Sequence, residues 1–232
     1  MFRVCLLILL TANAWAGDAA KLNFIGFAED GKHLAFQEYG VEDGSGFAFA
    51  NSYFINVAAN KYADNPIRTT SDSARNPLSA EAIRLVNLGQ STDRLKKLDI
   101  VTANVGQQVI AHVLNDIGVE AKQVHFASAT PLTGLAYNTY TIKLDVQETD
   151  MDCFGLGKAK IFTLKLINDT SEQEKVLQKD DDVPKSRGCP LDYRIQSVYL
   201  YQQKFLVVFL NMFLPGFEGQ SMRYLAVTGL LN

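Results

Sequence analysis

The run KFLVVFLNMF, residues 204 to 213, restricts the folds open to this chain more than any other segment. It is apolar at odd and even positions alike, so a strand built from it must be covered on both faces. A membrane-spanning helix needs about 20 apolar residues, and this run ends at Gln202-Gln203 on one side and Pro215-Gly216 on the other. Its Val and Phe content suits a pleated surface. A buried central strand is therefore expected, and the rest of the chain must supply its neighbours.

Strand patterning begins early. FAEDGKHLAF (27 to 36) places an Asp-Gly turn between apolar runs, a strong hairpin signal. EYGVEDGSGFAFAN (38 to 51) follows, with Gly40, Gly44 and Gly46 marking a wide loop, and SYFINV (52 to 57) completes a three-stranded meander. Residues 64 to 78, DNPIRTTSDSARNPL, carry two prolines among small polar residues and read as a linker. From Ser79 to Gly118 the apolar period lengthens. Ile83, Val86 and Leu88 predict one helix, continued through Leu95 and Leu98, and Val105, Val109, Val113 and Ile117 a second that Gly118 would end. Gly89 and Gly106 argue against one continuous rod.

Alternation returns with a short strand at Gln123 to Ala127, a turn-rich ATPLTG (129 to 134), and the strands YTIKLDV (140 to 146) and AKIFTLKLI (159 to 167) flanking Cys153. RIQSVYLY (194 to 201) and RYLAVTG (223 to 229) bracket the apolar run. The fold class that follows is α+β, mainly antiparallel β-sheet in meanders, with a helical insertion at about 79 to 118. The two end meanders also share a spacing: Phe36 to Tyr53 spans 17 positions and Val208 to Tyr224 spans 16. Such a period is what two copies of one propeller-blade-like sheet unit would give.

The N-terminus bears on where the protein works. Arg3, the apolar stretch from Val4 to Leu10 and Ala14-Trp15-Ala16 have the three-part form of a secretory signal peptide with cleavage after Ala16. Cleavage would leave 216 residues, 17 to 232, read as one secreted domain: an N-terminal β meander (17 to 70), the helical segment (79 to 118) and a β-rich part (119 to 232). Loss of Arg3 takes the net charge from −3 to −4. A mildly acidic chain without Lys/Arg runs has no footprint for nucleic acid or anionic lipid, and no membrane insertion is expected after cleavage. Cys5 leaves with the leader. Cys153 and Cys189 then stand alone in an oxidising compartment, where pairing is the expected state. Closing a loop of about 37 residues contributes at most roughly 3.8 kcal/mol in the chain-entropy model. A cysteine-based metal site lacks ligands, because neither Cys has a CxxC partner.

Two resemblances follow from quoted segments. AEDGKHLAF (28 to 36) resembles the hairpin of TolB-type periplasmic propeller repeats, with Ala28-Glu29 where those have Ser-Pro. More broadly, GFAEDGKHLAFQEYGVEDGSGF (26 to 47), SRGCPLDYRI (186 to 195) and PGFEGQSMRYLAVTG (215 to 229) resemble a bacterial family of predicted secreted proteins, the domain of unknown function 2259 family. This resemblance runs the mature length, least closely in the helical part. It implies secretion and a shared fold but no activity, and supports the Cys153–Cys189 pairing.

Motifs for chemistry are sparse. There is no G-x-S-x-G, no S-x-x-K and no H-E-x-x-H, and His33, His112 and His125 sit singly and read as structural or surface residues. The glycine-rich 38 to 47 segment lacks the Lys-Ser/Thr of a phosphate loop. Glu38, Glu42 and Asp43, and the run Asp180 to Asp182, offer calcium's oxygen donors without the D-x-D-x-D-G spacing, so neither metal nor other cofactor is expected. Glu38 and Glu218 are the carboxylate pair that a hydrolase of envelope glycan or peptide would use, although Trp15 is lost with the leader. The leading expectation is a non-catalytic envelope binding or interaction protein whose partner is an envelope protein or small ligand. Its binding face would combine the two wide loops: Glu42, Asp43, Phe47 and Phe49 with Phe217 and Glu218.

Overall fold

The computed structural model describes residues 17–71, 78–113, 121–128 and 138–231. Within them the chain forms three four-stranded antiparallel sheets, one α-helix and a short 3-10 turn at Lys185–Arg187. The first sheet is a meander of β1 (Lys21–Phe27), β2 (His33–Val41), β3 (Ala48–Asn56) and β4 (Lys61–Thr70). Helix α1 (Ala80–Lys97) and strand β5 (Gln107–Ala111) follow. Strands β6 (Gln123–Ser128), β7 (Asn138–Asp152), β8 (Lys158–Asn168) and β9 (Gln173–Lys179) make a second sheet in sequence order. The chain then returns to β5 with β10 (Asp192–Tyr201), β11 (Phe205–Pro215) and β12 (Gln220–Leu230), giving the order β12-β11-β10-β5.

The sheet containing β5 and β10 to β12 is the middle layer, which explains the composition of β11. Leu206, Val208, Leu210 and Met212 share one core with Val124, Ile142, Leu144, Phe162 and Leu164 of the β6 to β9 sheet. Phe205, Val207 and Phe209 point the opposite way, into a core with Phe27, Leu34, Phe36, Ile55 and Val57 of the first sheet. Alternate side chains thus enter different cores, and no position of the run from Phe205 to Phe213 is left for a solvated residue.

The hairpin at Asp30-Gly31 forms as its sequence predicts. Gly31 is needed there: its φ is +72°, and a Cβ would lie 2.2 Å from the Phe205 ring. Helix α1 covers the outer face of the first sheet. Ser79 caps its first turn by accepting from the Ala82 N–H at 3.2 Å. Ile83 packs on Tyr39, Ala48 and Ala50, and Leu95 on Ile25, Ala35 and Phe54. Between these apolar contacts Asn87 is buried, accepting from Gln37 Nε2 at 2.8 Å and donating to the carbonyls of Ala50 and Ile67 at 3.1 and 3.0 Å. A fully bonded amide fixes the helix register where an apolar contact would let it slide.

Two expectations need correction, and one strand has no counterpart among them. The presumed linker from residue 64 is strand as far as Thr70: β4 is an edge strand, where Pro66 removes no needed ladder bond, and the register shifts opposite it between Ser52 and Phe54. The second helix does not form at its start, because residues 107 to 111 pair as β5 with Leu200 to Ser197 of β10. Gly106, at φ +69°, turns the chain into that strand so close to Leu200 that a Cβ would sit 2.3 Å from its carbonyl oxygen. The remainder of that helix from residue 114, and the ATPLTG turn, lie outside the described residues. Strand β9, QEKVLQK, has no apolar alternation to announce it, and forms by edge pairing with β8.

Cys153 and Cys189 form a disulfide with Cα atoms 5.6 Å apart. It ties the β7–β8 hairpin to the segment entering β10, among Ala159 and Leu191.

Candidate functional site

The β2–β3 and β11–β12 loops lie side by side, where the two sheets that carry them share a core. The first loop is closed by the Glu42 N–H to the Phe47 carbonyl at 2.9 Å and the Gly46 N–H to the Glu42 carbonyl at 2.9 Å. The second is closed by the Gly216 N–H to the Gly219 carbonyl at 2.7 Å. They touch through the Glu218 N–H, which donates to Asp43 Oδ2 at 3.1 Å. The Asp43 N–H in turn donates to Asp18 Oδ2 at 3.3 Å, and Asp18 is held by Arg223. Burial would raise the Asp18 carboxyl, but the Arg223 guanidinium outweighs it and holds the group below its usual value.

Of the six residues expected on a binding face, Glu42, Asp43, Phe217 and Glu218 come together at the surface. Phe217 is 80 % exposed, and a Cβ on Gly44 would lie 3.7 Å from its ring. Phe47 is half-buried. Phe49 is buried, with the Arg223 guanidinium 4.6 Å above its ring, so it supports the face rather than presenting itself. A third loop joins them. Leu156, from the β7–β8 hairpin, lines a recess of about 520 Å³ together with Leu191 and residues 216 to 220. In the same hairpin Phe154 is 85 % exposed. In the sequence this loop stands out for Cys153 alone; the one further signal is the aromatic directly after that cysteine, followed by Gly155 and Gly157.

Glu38 lies elsewhere, in a cleft of about 590 Å³ between the first sheet, β11–β12 and the chain from Gln178 to Gly188. Its carboxylate is buried and hydrogen-bonded at both oxygens. Asn51 Nδ2 and the Tyr53 hydroxyl donate to Oε1 at 3.1 and 2.6 Å, and the Tyr224 N–H donates to Oε2 at 2.9 Å. Burial and the neighbouring Glu38 charge push the Tyr53 hydroxyl far above its ordinary value, so it remains a donor. Glu38 and Glu218 line different cavities. Asp180 forms a buried ion pair with Arg187, whose guanidinium stands 4.8 Å above the Phe162 ring. His112 Nδ1 is bonded to the Ile195 carbonyl at 3.0 Å and His125 Nδ1 to Thr141 Oγ1 at 2.8 Å. Among the described residues, no three His, Cys, Asp or Glu side chains are grouped to hold a metal ion. No motif points to this cleft, since its walls come from residues scattered between positions 36 and 226.

No curated protein and no solved structure matches the chain. Among the described residues no helix is long and apolar enough to cross a membrane. One family profile matches residues 35–229, from β2 almost to the end of β12. On that match the chain belongs to the DUF2259 family, described as predicted secreted proteins.

Proposed function

We propose that the chain is cleaved after Ala16 and works in the periplasm as a non-catalytic interaction protein, docking a partner protein through the end face built by loops 42–47, 153–157 and 216–219. The observation that carries this reading is the pair of exposed rings, Phe154 and Phe217, on loops held in place by a disulfide and by backbone hydrogen bonds. Large apolar side chains in water are unfavourable unless something covers them, and rings on pre-ordered loops lose little entropy when covered. Asp43 and Glu218 put negative charge beside Phe217, with Glu42 in the same loop as Asp43, so the complementary partner presents an apolar socket with a basic rim. The hydrolytic alternative has no comparable support, because its two carboxylates, Glu38 and Glu218, face separate cavities.

The test is site-specific photo-crosslinking in the producing cell. A crosslinker at position 217 should trap a discrete partner, and the same group at position 165, on the β8 strand of another sheet, should not. The trapped protein, purified, should bind the wild-type chain and lose at least tenfold in affinity to a Phe154→Ala/Phe217→Ala variant. No adduct at 217, or unchanged affinity of that variant, rejects the proposal.

A further inference from the structure

The inter-sheet cleft has walls from all three sheets and a volume of about 590 Å³, within the range of roughly 300 to 1,000 Å³ typical of small-ligand sites. Its ligand chemistry follows from which polar groups are already used. Glu38 is held by hydrogen bonds from Asn51, Tyr53 and the Tyr224 N–H. Arg187 is neutralised by Asp180, and Arg223 by Asp18. Asn60 bridges the Thr228 N–H and Gln178 at 2.9 and 3.0 Å. Lys61 and Arg68 are left, both exposed and neither in an ion pair among the described residues, with the hydroxyls of Tyr62 and Ser186. The cleft residues that carry a charge without an ion-pair partner among the described residues are then Glu38, whose bonds come from neutral donors only, and the two cations Lys61 and Arg68, so positive charge is in excess there although the chain as a whole is acidic.

The wall beside these groups is aromatic. Phe36 stacks on Tyr53 at 4.8 Å and Tyr53 on Tyr62 at 6.0 Å, with interplanar angles of 21° and 23°. Tyr62 ends this stack and is 52 % exposed. Leu214, Leu225 and Pro184 complete the apolar lining. A ring with an apolar C–H face suits Tyr62, and an anionic substituent suits Arg68 and Lys61.

We infer that this cleft binds a small acidic sugar, its ring against Tyr62 and its carboxylate or phosphate on Arg68 and Lys61. The site is separate from the loop face, so one can fail while the other holds. The Arg68 fork favours an acceptor with two oxygens spaced to take its paired N–H groups, and both carboxylate and phosphate provide one.

Titration calorimetry on the mature chain decides it, with glucuronic acid, glucose 6-phosphate and neutral glucose as probes. At least one acidic sugar should bind, with glucose at least tenfold weaker, and the tighter of the two acids identifies the anionic group. Arg68→Ala should weaken the bound acid at least tenfold while the melting temperature holds, Tyr62→Ala should also weaken it, and Phe217→Ala should leave it unchanged. Raising the ionic strength should reduce affinity. The inference is overturned if neither acid binds, if glucose binds as well as the acids, or if Arg68→Ala binds like wild type.

Discussion

Arg223 holds Asp18 through two hydrogen bonds of 2.5 and 3.0 Å, fastening the first described residues to the last strand across 205 positions of sequence. The same aspartate receives the Asp43 N–H, and the Asp43 carboxylate receives the Glu218 N–H. A single ion pair therefore organises the N-terminal segment, the β2–β3 loop and, through it, the β11–β12 loop.

That arrangement makes stability depend on acid. The Asp18 carboxyl sits below its ordinary value, so its contribution is fully present at neutral pH and is lost as pH falls below about 3.8 and through the folded-state value. Asp18→Asn should cost about 1.5 to 3 kcal/mol at neutral pH, the worth of hydrogen bonds between charged groups. The deficit relative to wild type should shrink as pH falls below 4. Urea unfolding at pH 7 and at pH 3 measures both, and an equal deficit at the two values would contradict the assignment.

The Cys153–Cys189 bond should leave no free thiol in denatured, unreduced mature protein. Cys189→Ser should lower stability by at most about 3.8 kcal/mol, the chain-entropy value for this loop, and by less if the reduced chain stays compact. Thiol labelling with mass detection, followed by thermal melts, checks both statements.

Phe209 and Phe217 provide an internal control for the layered core. Phe209 is fully buried and packs edge-on with Phe24 at 5.3 Å and Phe36 at 5.2 Å, whereas Phe217 is exposed. Phe209→Ala should cost about 3 to 5 kcal/mol, and Phe217→Ala less than about 0.5 kcal/mol. Urea midpoints of the two variants give the comparison, and similar losses would mean that β11 is not the central strand.

Edman sequencing of protein from the producing cell should begin Gly17-Asp18-Ala19. This terminus has a place in the fold: the Met222 N–H donates to the Asp18 carbonyl at 2.8 Å and the Ala20 N–H to the Met222 carbonyl at 3.1 Å. A Cβ on Gly17 would lie 2.1 Å from the Gln220 carbonyl oxygen, so Gly17→Val should force this segment off β12 and lower the melting temperature. A protein sequenced from Met1 would remove the processing step.

The strands with the strongest side-chain patterns are legible in the sequence. β2, β7, β8, β10, β11 and β12 each lie where alternation or a continuous apolar run places them, and the Asp30-Gly31 turn sets the first register. The strands that escape such reading share one cause. β5 and β9 are edge pieces whose side chains carry little core contact, and β4 includes a proline that only an edge position tolerates; these strands exist because a neighbour offers an unpaired ladder. Val105, Val109 and Val113 fit a helical period equally well, and the partner strand β10, more than eighty residues later, settles the matter.

The same division applies to the sites. That Phe217, Glu218, Glu42 and Asp43 lie in surface loops is legible because glycine-rich stretches with aromatic and acidic residues are visible locally. Phe49 cannot be told from Phe217 by composition, since only packing puts one under Arg223 and leaves the other in water. Strand content, the buried central strand and the hairpin turn are written locally in the chain, because side-chain periodicity and backbone preference act over a few residues. That β11 serves two cores, that Arg223 finds Asp18, and that Arg68, Lys61 and Tyr62 border one cleft with Glu38 emerge only when the sheets pack. Those relationships join residues far apart in the chain, and no local preference encodes which distant surfaces meet.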